Sequence, residues 1–240
     1  MNSSKRHQDV LECGRLEVQC KFMHRTSGHR RAAGFTKWDL LIVIAAVLIF
    51  SLAGLMWLGR PAKKMSSRIG CVNKLKQVGL GMRIYANDNN DKFPWQASTT
   101  DSGSREFIGL GQTFRHFQAA SDQIGSPKIL FCEKDPGRTP AMDWGPSFGT
   151  NNLSYFVGLD AMQTNAQLIL SGDRHLTFNG KSLSGVVSLS TNSMVGWTRF
   201  IHGSFGNVAL SDGSVQQVSP HALRLQVERA DRANFRFEIP

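Results

Sequence analysis

Between Leu40 and Leu58 the chain reads LLIVIAAVLIFSLAGLMWL, 19 residues without a charge. About 20 apolar residues are needed for a helix to cross the hydrocarbon core of a bilayer, so this run constrains the fold more than anything else in the sequence. A removable secretory signal is the competing reading. Such signals have an apolar core of roughly 7 to 15 residues followed by a small-residue cleavage site, whereas here the run is longer and Gly59-Arg60-Pro61 follows it. The expectation is a single membrane span at 40–58, a cytoplasmic N-terminus and an exported body.

The formal charge of +10 would suggest a nucleic-acid partner if it were spread evenly, but it is not. Residues 1–34 carry seven basic and three acidic groups, and residues 60–83 carry seven basic groups and no acid. The remainder, 84–240, holds 13 basic and 14 acidic groups. The body is therefore neutral, and no nucleic-acid partner is assigned. Keeping the basic leader inside obeys the positive-inside tendency, while the basic stretch beyond the span opposes it.

After Pro61, Met65, Ile69, Val72, Leu75, Val78, Met82 and Tyr85 recur at spacings of three and four, one helical stripe. Lys63, Lys64, Arg68, Lys74, Lys76 and Arg83 lie mostly off it, as a solvated face or one for anionic headgroups or nucleic acid. Together, 36–86 reads as one helix of 51 residues, about 76 Å at ~1.5 Å per residue. Gly59 and Pro61 mark a kink or break in it. Asn87 to Pro94 ends the helix with turn formers. Its oxygen donors lack the central Gly and distal Glu of a calcium loop, so no metal is assigned there.

Beyond Lys92, Phe107, Leu110, Phe114, Phe117 and Ile124 suggest a short helix. Strands are expected at 128–132, 154–158, 167–171, 186–190, 207–211 and 214–218, a short helix at 220–230 and a final strand through Phe235, Phe237 and Ile239. Asp212-Gly213 between two of these strands is a strong hairpin signal, suited to a type I′ turn. The class is α+β, a long N-terminal helix followed by a small antiparallel β-sheet domain.

Arg30-Arg31-Ala32-Ala33-Gly34-Phe35-Thr36-Lys37-Trp38-Asp39 sets a basic stretch, then Gly-Phe-Thr, then an acid at the fifth position from Phe35, against the apolar run. This resembles the processing site of type IV pilins and type II secretion pseudopilins. The resemblance implies a cut between Gly34 and Phe35 by a prepilin peptidase, methylation of the new N-terminus and a mature chain of 206 residues. Asp39, where the family usually has Glu, would pair with the free amine of a neighbouring subunit. The alternative for Asp39 is capping of the helix start. The leader is long for this family, and Met23 would give a more ordinary one. Cys13 and Cys20 are then either never made or discarded with it.

The likeness extends along the body. Cys71-Val-Asn-Lys-Leu-Lys-Gln-Val-Gly-Leu, Tyr85-Ala-Asn-Asp, Arg115-His116-Phe117-Gln118, Phe131-Cys132-Glu-Lys-Asp, Ser154 to Asp160, Ser171-Gly-Asp-Arg174, and His202 followed nine residues later by Asp212-Gly213 look like the pseudopilin-like group with a C-terminal H-x9-D-G motif. The pilin-like arrangement it implies is a cleaved leader at 1–34, a spine helix at 35–91 and an exported domain at 92–240.

Cys71 and Cys132 are an even pair in an oxidising compartment, a candidate disulfide, with two separate buried thiols as the alternative. His202, Asp212, His175 and Asp173 could form a base with an orienting carboxylate. No nucleophile elbow, metal-spaced His pair or phosphate loop accompanies them in the sequence. His202 at the hairpin base and Asp212-Gly213 in its turn are therefore given a structural role, with no enzyme activity and no cofactor. The function expected is a structural subunit of a type II secretion or type IV pilus-like filament. It would sit in the inner membrane with its C-terminal domain in the periplasm, or in a periplasmic or cell-surface filament. Its partners would be the peptidase, other pilin-like subunits and the secretion machinery. The alternative is a singly anchored exported module that binds, for instance, polysaccharide.

Overall fold

The computed structural model describes residues 36–190, 193–229 and 234–240, with side chains outside 57–68. Met23, Gly34 and Phe35, and with them the expected cut, lie outside the described residues. The chain divides into two units, one ending at Leu52 and one beginning at Ala53.

Helix α1 is Lys37–Asp88, 52 residues. Gly59 and Pro61, read above as a kink or break, lie within unbroken helical backbone. One proline removes one backbone hydrogen bond, and the helix formers on both sides, Leu55-Met56 and Ala62-Lys63-Lys64-Met65, carry the ladder past it. The helix begins on a reciprocal cap. Thr36 N–H and Oγ1 donate to Asp39 Oδ2 at 3.0 and 2.8 Å, and Asp39 N–H donates back to Thr36 Oγ1 at 3.3 Å. This is a capping box with Asp at its third position. Lys37–Met56 is long and apolar enough to cross a membrane, and none of it is buried.

In the second unit, Cys71, Leu75, Val78, Met82, Tyr85 and Ala86 are buried on one face of α1. Ile69, assigned above to the stripe, is instead 57% exposed, and the buried face begins two residues further on, at Cys71. Gly81 permits close approach on this face, since a Cβ there would meet Ile124 Cγ1 at 2.8 Å.

The single helix expected around residues 107–124 is split. A 3-10 turn at Arg105–Phe107 is followed by α2 (Phe114–Ala119) and α3 (Ser121–Ile124). Gly109 and Gly111 take positive φ between these pieces and so end any helix there. The expected strand 128–132 is a 3-10 turn, Pro127–Leu130. Pro127 at its first position favours a helical start and removes an N–H from any ladder.

The strands are β1 (Tyr155–Gly158), β2 (Ile169–Asp173), β3 (Leu176–Phe178), β4 (Lys181–Ser182), β5 (Gly185–Ser190), β6 (Val195–Trp197), β7 (Gly206–Leu210), β8 (Val215–Val218) and, after α4 (Pro220–Arg229), β9 (Asn234–Ile239). Six form an antiparallel sheet in the order β5-β9-β1-β2-β7-β8, and β4-β3-β6 form a second. Alternation along the strands sorts the core into two layers. Tyr155, Val157, Leu170 and Ala209 pack with the buried face of α1 and with Phe93, Trp95 and Phe117. Phe156, Ile169, Val208, Leu210, Phe235 and Phe237 pack with Leu223 and Val227 of α4 and with Trp197. The main sheet is thus covered on both sides, which is why nearly all of β1, β2 and β7 is buried.

Candidate functional site

Cys71 on α1 and Cys132, in the segment after the Pro127 turn, are joined by a disulfide with their Cα atoms 5.5 Å apart. Both are fully buried. The sheet holds the two ends. Ser154 Oγ accepts from Cys132 N–H at 3.0 Å, and Tyr155 Oη donates to the Cys71 carbonyl at 3.4 Å. Beside them Lys74 Nζ reaches the Phe131 carbonyl and Glu133 at 3.1 and 3.2 Å. One member of the basic face therefore fastens the helix to the body instead of standing in solvent.

His202 completes this cluster. Its Nε2 lies 3.5 Å from Cys132 Sγ and 3.7 Å from Asp173 Oδ2, and the imidazole is buried. Asp173, at the end of β2, accepts from Asn207 N–H and Nδ2 at 2.7 and 3.1 Å, while its Oδ1 has no hydrogen-bond partner among the described residues. Burial pushes this carboxyl up to about 7, with the Asn207 donors opposing the rise and the charge of Asp135 adding to it.

Asp212-Gly213 lies elsewhere, at the exposed tip of the β7–β8 hairpin. The type I′ expectation is overturned, since Gly213 alone takes positive φ, at 85°, and Asp212 does not. Gly213 N–H donates to the Leu210 carbonyl, and Leu210 N–H to the Ser214 carbonyl, both at 2.9 Å. This is a three-residue loop in which a type I turn is followed by a left-handed glycine. Asp212 Oδ1 accepts from Ser214 N–H at 2.8 Å, and its carbonyl accepts from Arg83 Nη1 of α1 at 2.6 Å. The H-x9-D-G motif therefore serves two places, His202 the buried cluster and Asp212-Gly213 the turn.

The other motifs meet one another. Asp135, three residues after Cys132, accepts from Arg174 Nε and Nη2 at 2.7 and 2.8 Å and faces His175 Nε2 at 3.2 Å. Burial works against its charge, but the His175 and Arg174 hydrogen bonds hold its carboxyl well below the usual range. His175 Nδ1 lies 3.2 Å from Thr198 Oγ1. His116 Nδ1 and Nε2 lie 2.7 Å from Ser104 Oγ and 3.0 Å from Glu238. This is a serine–imidazole–carboxylate order, but all three are buried, so no solvent-borne substrate reaches the hydroxyl without the domain opening. His175, Asp173 and His202 figured in the sequence reading, and Asp135 only as the end of the Phe131-Cys132-Glu-Lys-Asp run; Glu238 and Ser104 did not, and no local pattern joins them to His116, 122 and 12 residues away in the chain.

A cavity of about 350 Å³ is lined by Phe114, Arg115, Gln118, Trp144, Pro146 and Phe148. Trp144 and Phe148 meet edge to face at 4.7 Å, and the Arg115 guanidinium lies 4.9 Å over Phe114. Comparison with known proteins found no matching family model, no matching curated protein and no matching solved structure.

Proposed function

We propose that the chain is a pseudopilin-like structural subunit, anchored in the inner membrane by 40–58, trimmed between Gly34 and Phe35 and packed into a type II secretion or type IV pilus-like filament through its N-terminal helix. The observation that carries this reading is the contrast along α1. From Cys71 to Ala86 the helix is a buried element of the sheet domain, whereas Lys37–Met56 exposes Leu40, Ile42, Leu48 and Phe50 at 57 to 79%. Apolar surface on that scale needs lipid or other helices around it. The resemblance at Gly34-Phe35 selects the filament from the ways of covering it.

N-terminal sequencing of the protein extracted from inner membranes tests the reading. The expected residue is N-methylated Phe35, and Gly34→Leu should leave an uncut precursor. An intact leader on the wild-type chain, or normal trimming of Gly34→Leu, overturns it.

The cleft at Trp144 favours a second reading, an anchored module that binds polysaccharide without polymerising. Aromatic faces stack on sugar rings, and Arg115 and Gln118 would hydrogen-bond hydroxyls. Binding of oligosaccharides to the detergent-solubilised chain, lost at least tenfold in Trp144→Ala, together with monomeric protein in membrane crosslinking, would favour this reading over the first.

A further inference from the structure

The Cys71–Cys132 disulfide and His202 lie in one pocket of the core, and their donor atoms suit a second chemistry. Sγ of Cys71, Sγ of Cys132 and a ring nitrogen of His202 all lie within 4.8 Å of one another. We propose that, when this disulfide is reduced, the two thiolates and the His202 imidazole bind one zinc-class divalent cation, so that α1 stays cross-linked to the sheet domain in either redox state.

The geometry is close to what such an ion needs. Zinc takes thiolate sulfur at about 2.3 Å and imidazole nitrogen at about 2.0 to 2.1 Å in a tetrahedron, which places S and N roughly 3.6 Å apart. His202 Nε2 already lies 3.5 Å from Cys132 Sγ. Only the two sulfurs must separate, and rotation about the Cα–Cβ bonds achieves this with Cα atoms 5.5 Å apart. Charge also balances, because two thiolates neutralise a dication and the imidazole binds neutral. A site with no net charge is the kind a buried position tolerates. Asp173 stands beside the site with Oδ2 3.7 Å from the same imidazole nitrogen, and its Oδ1 lacks a hydrogen-bond partner among the described residues. As a neutral carboxyl, through its carbonyl oxygen, it is the candidate for a fourth ligand that leaves the site without net charge.

The ligands are held in place before any metal arrives. Cys132 N–H is bonded to Ser154, and the Cys71 carbonyl to Tyr155. In the redox step a dithiol or phosphine reductant supplies two electrons and is itself oxidised, and the S–S bond takes up two protons to give two thiols. Metal binding then expels those two protons to solvent.

The test uses the full chain in detergent, with Cys13→Ser and Cys20→Ser so that only these two cysteines remain, reduced by a phosphine and titrated with Co2+. One equivalent should bind with a tetrahedral d–d spectrum and a thiolate-to-cobalt charge-transfer band, and Zn2+ should displace it. The oxidised chain should bind none. His202→Ala should weaken binding at least tenfold, with Asp173→Asn having a smaller effect, while circular dichroism shows both variants folded. The proposal is overturned by a folded reduced chain that takes up no stoichiometric Co2+, or by uptake that His202→Ala leaves unchanged. An octahedral spectrum without the thiolate band, marking an adventitious cation, overturns it as well. So does loss of the folded signal on reduction that Zn2+ does not restore.

Discussion

Asp173 is an acid kept from water by the meeting of β2 and β7, and its free energy depends on which proton state the fold holds. Its ordinary value is 3.8, and in the folded chain burial raises it to about 7. Between those values the folded chain holds a proton that the unfolded chain has released, so stability falls as pH rises from about 4 to 7 and is flat above. Asp135 acts in the opposite sense and in another window. Its carboxyl is held low by Arg174 and His175, so its contribution is present above about pH 4 and is lost as pH falls further. Thermal melts of the detergent-solubilised chain should therefore show Tm declining from pH 4.5 to 7.5. Asp173→Asn should flatten that decline, because the amide oxygen still accepts from Asn207 but cannot ionise. The full shift corresponds to at most about 4 kcal/mol, and roughly 2 to 4 °C of Tm accompanies each kcal/mol in a chain of this size. A slope that survives in Asp173→Asn would place the titrating group elsewhere.

At the scale of elements, the β7–β8 hairpin is where backbone conformation is most demanding. Gly213 sits at φ 85°, and a Cβ there would lie 3.3 Å from Arg83 Nη1, the group that donates to the Asp212 carbonyl. Gly213→Val should lower stability by about 2 kcal/mol, as a β-branched residue is poorly tolerated at positive φ. Gly213→Asn should cost less, since Asn enters the left-handed region more readily; equal melting of the two variants would mean that backbone strain is not the cause. The hairpin also marks how far the sequence could be read. Short strand-like runs located β1, β2, β5, β7 and β8 to within a few residues, and the alternation of Phe235, Phe237 and Ile239 located β9; α4 was found as well, and it buries Leu223 and Val227. The two- and three-residue strands β3, β4 and β6 are too short to show a period and were not foreseen. The turn type was misread because Asp-Gly suits both a two-residue loop and the type I turn followed by a left-handed glycine. Of the buried cluster, Cys71, Cys132 and His202 were each visible as residues. That they meet, with Asp173 beside them, depends on contacts 70 residues apart for Cys132 and His202, and no local pattern carries that.

For the whole molecule, the disulfide fastens α1 to the sheet domain. Closing a loop across a sequence separation of 61 residues restricts the unfolded chain by about 4 kcal/mol in the chain-entropy model. Cys71→Ser in metal-free buffer should lower stability by that order, as read by denaturant unfolding of the detergent-solubilised chain. A change under about 1 kcal/mol would mean that the strain released on breaking the bond offsets the entropy.

Asp39 bears on the proposed filament, because two roles compete for one carboxylate. In the capping box it accepts from Thr36 N–H and Oγ1, a role that any side chain with a suitably placed oxygen can fill and whose loss costs about 1 kcal/mol. As the partner of a neighbouring subunit's terminal amine it needs its charge, since an ammonium in apolar surroundings demands a compensating anion. Asp39→Ala removes both roles and cannot separate them. Asp39→Asn keeps the acceptor oxygen and removes only the charge. If the carboxylate pairs between subunits, Asp39→Asn should be trimmed and inserted normally yet yield crosslinked oligomers or filaments at least tenfold below wild type, close to Asp39→Ala. Assembly of Asp39→Asn at the wild-type level, with Asp39→Ala impaired, would confine Asp39 to the helix start and leave register in the filament to the apolar faces of α1.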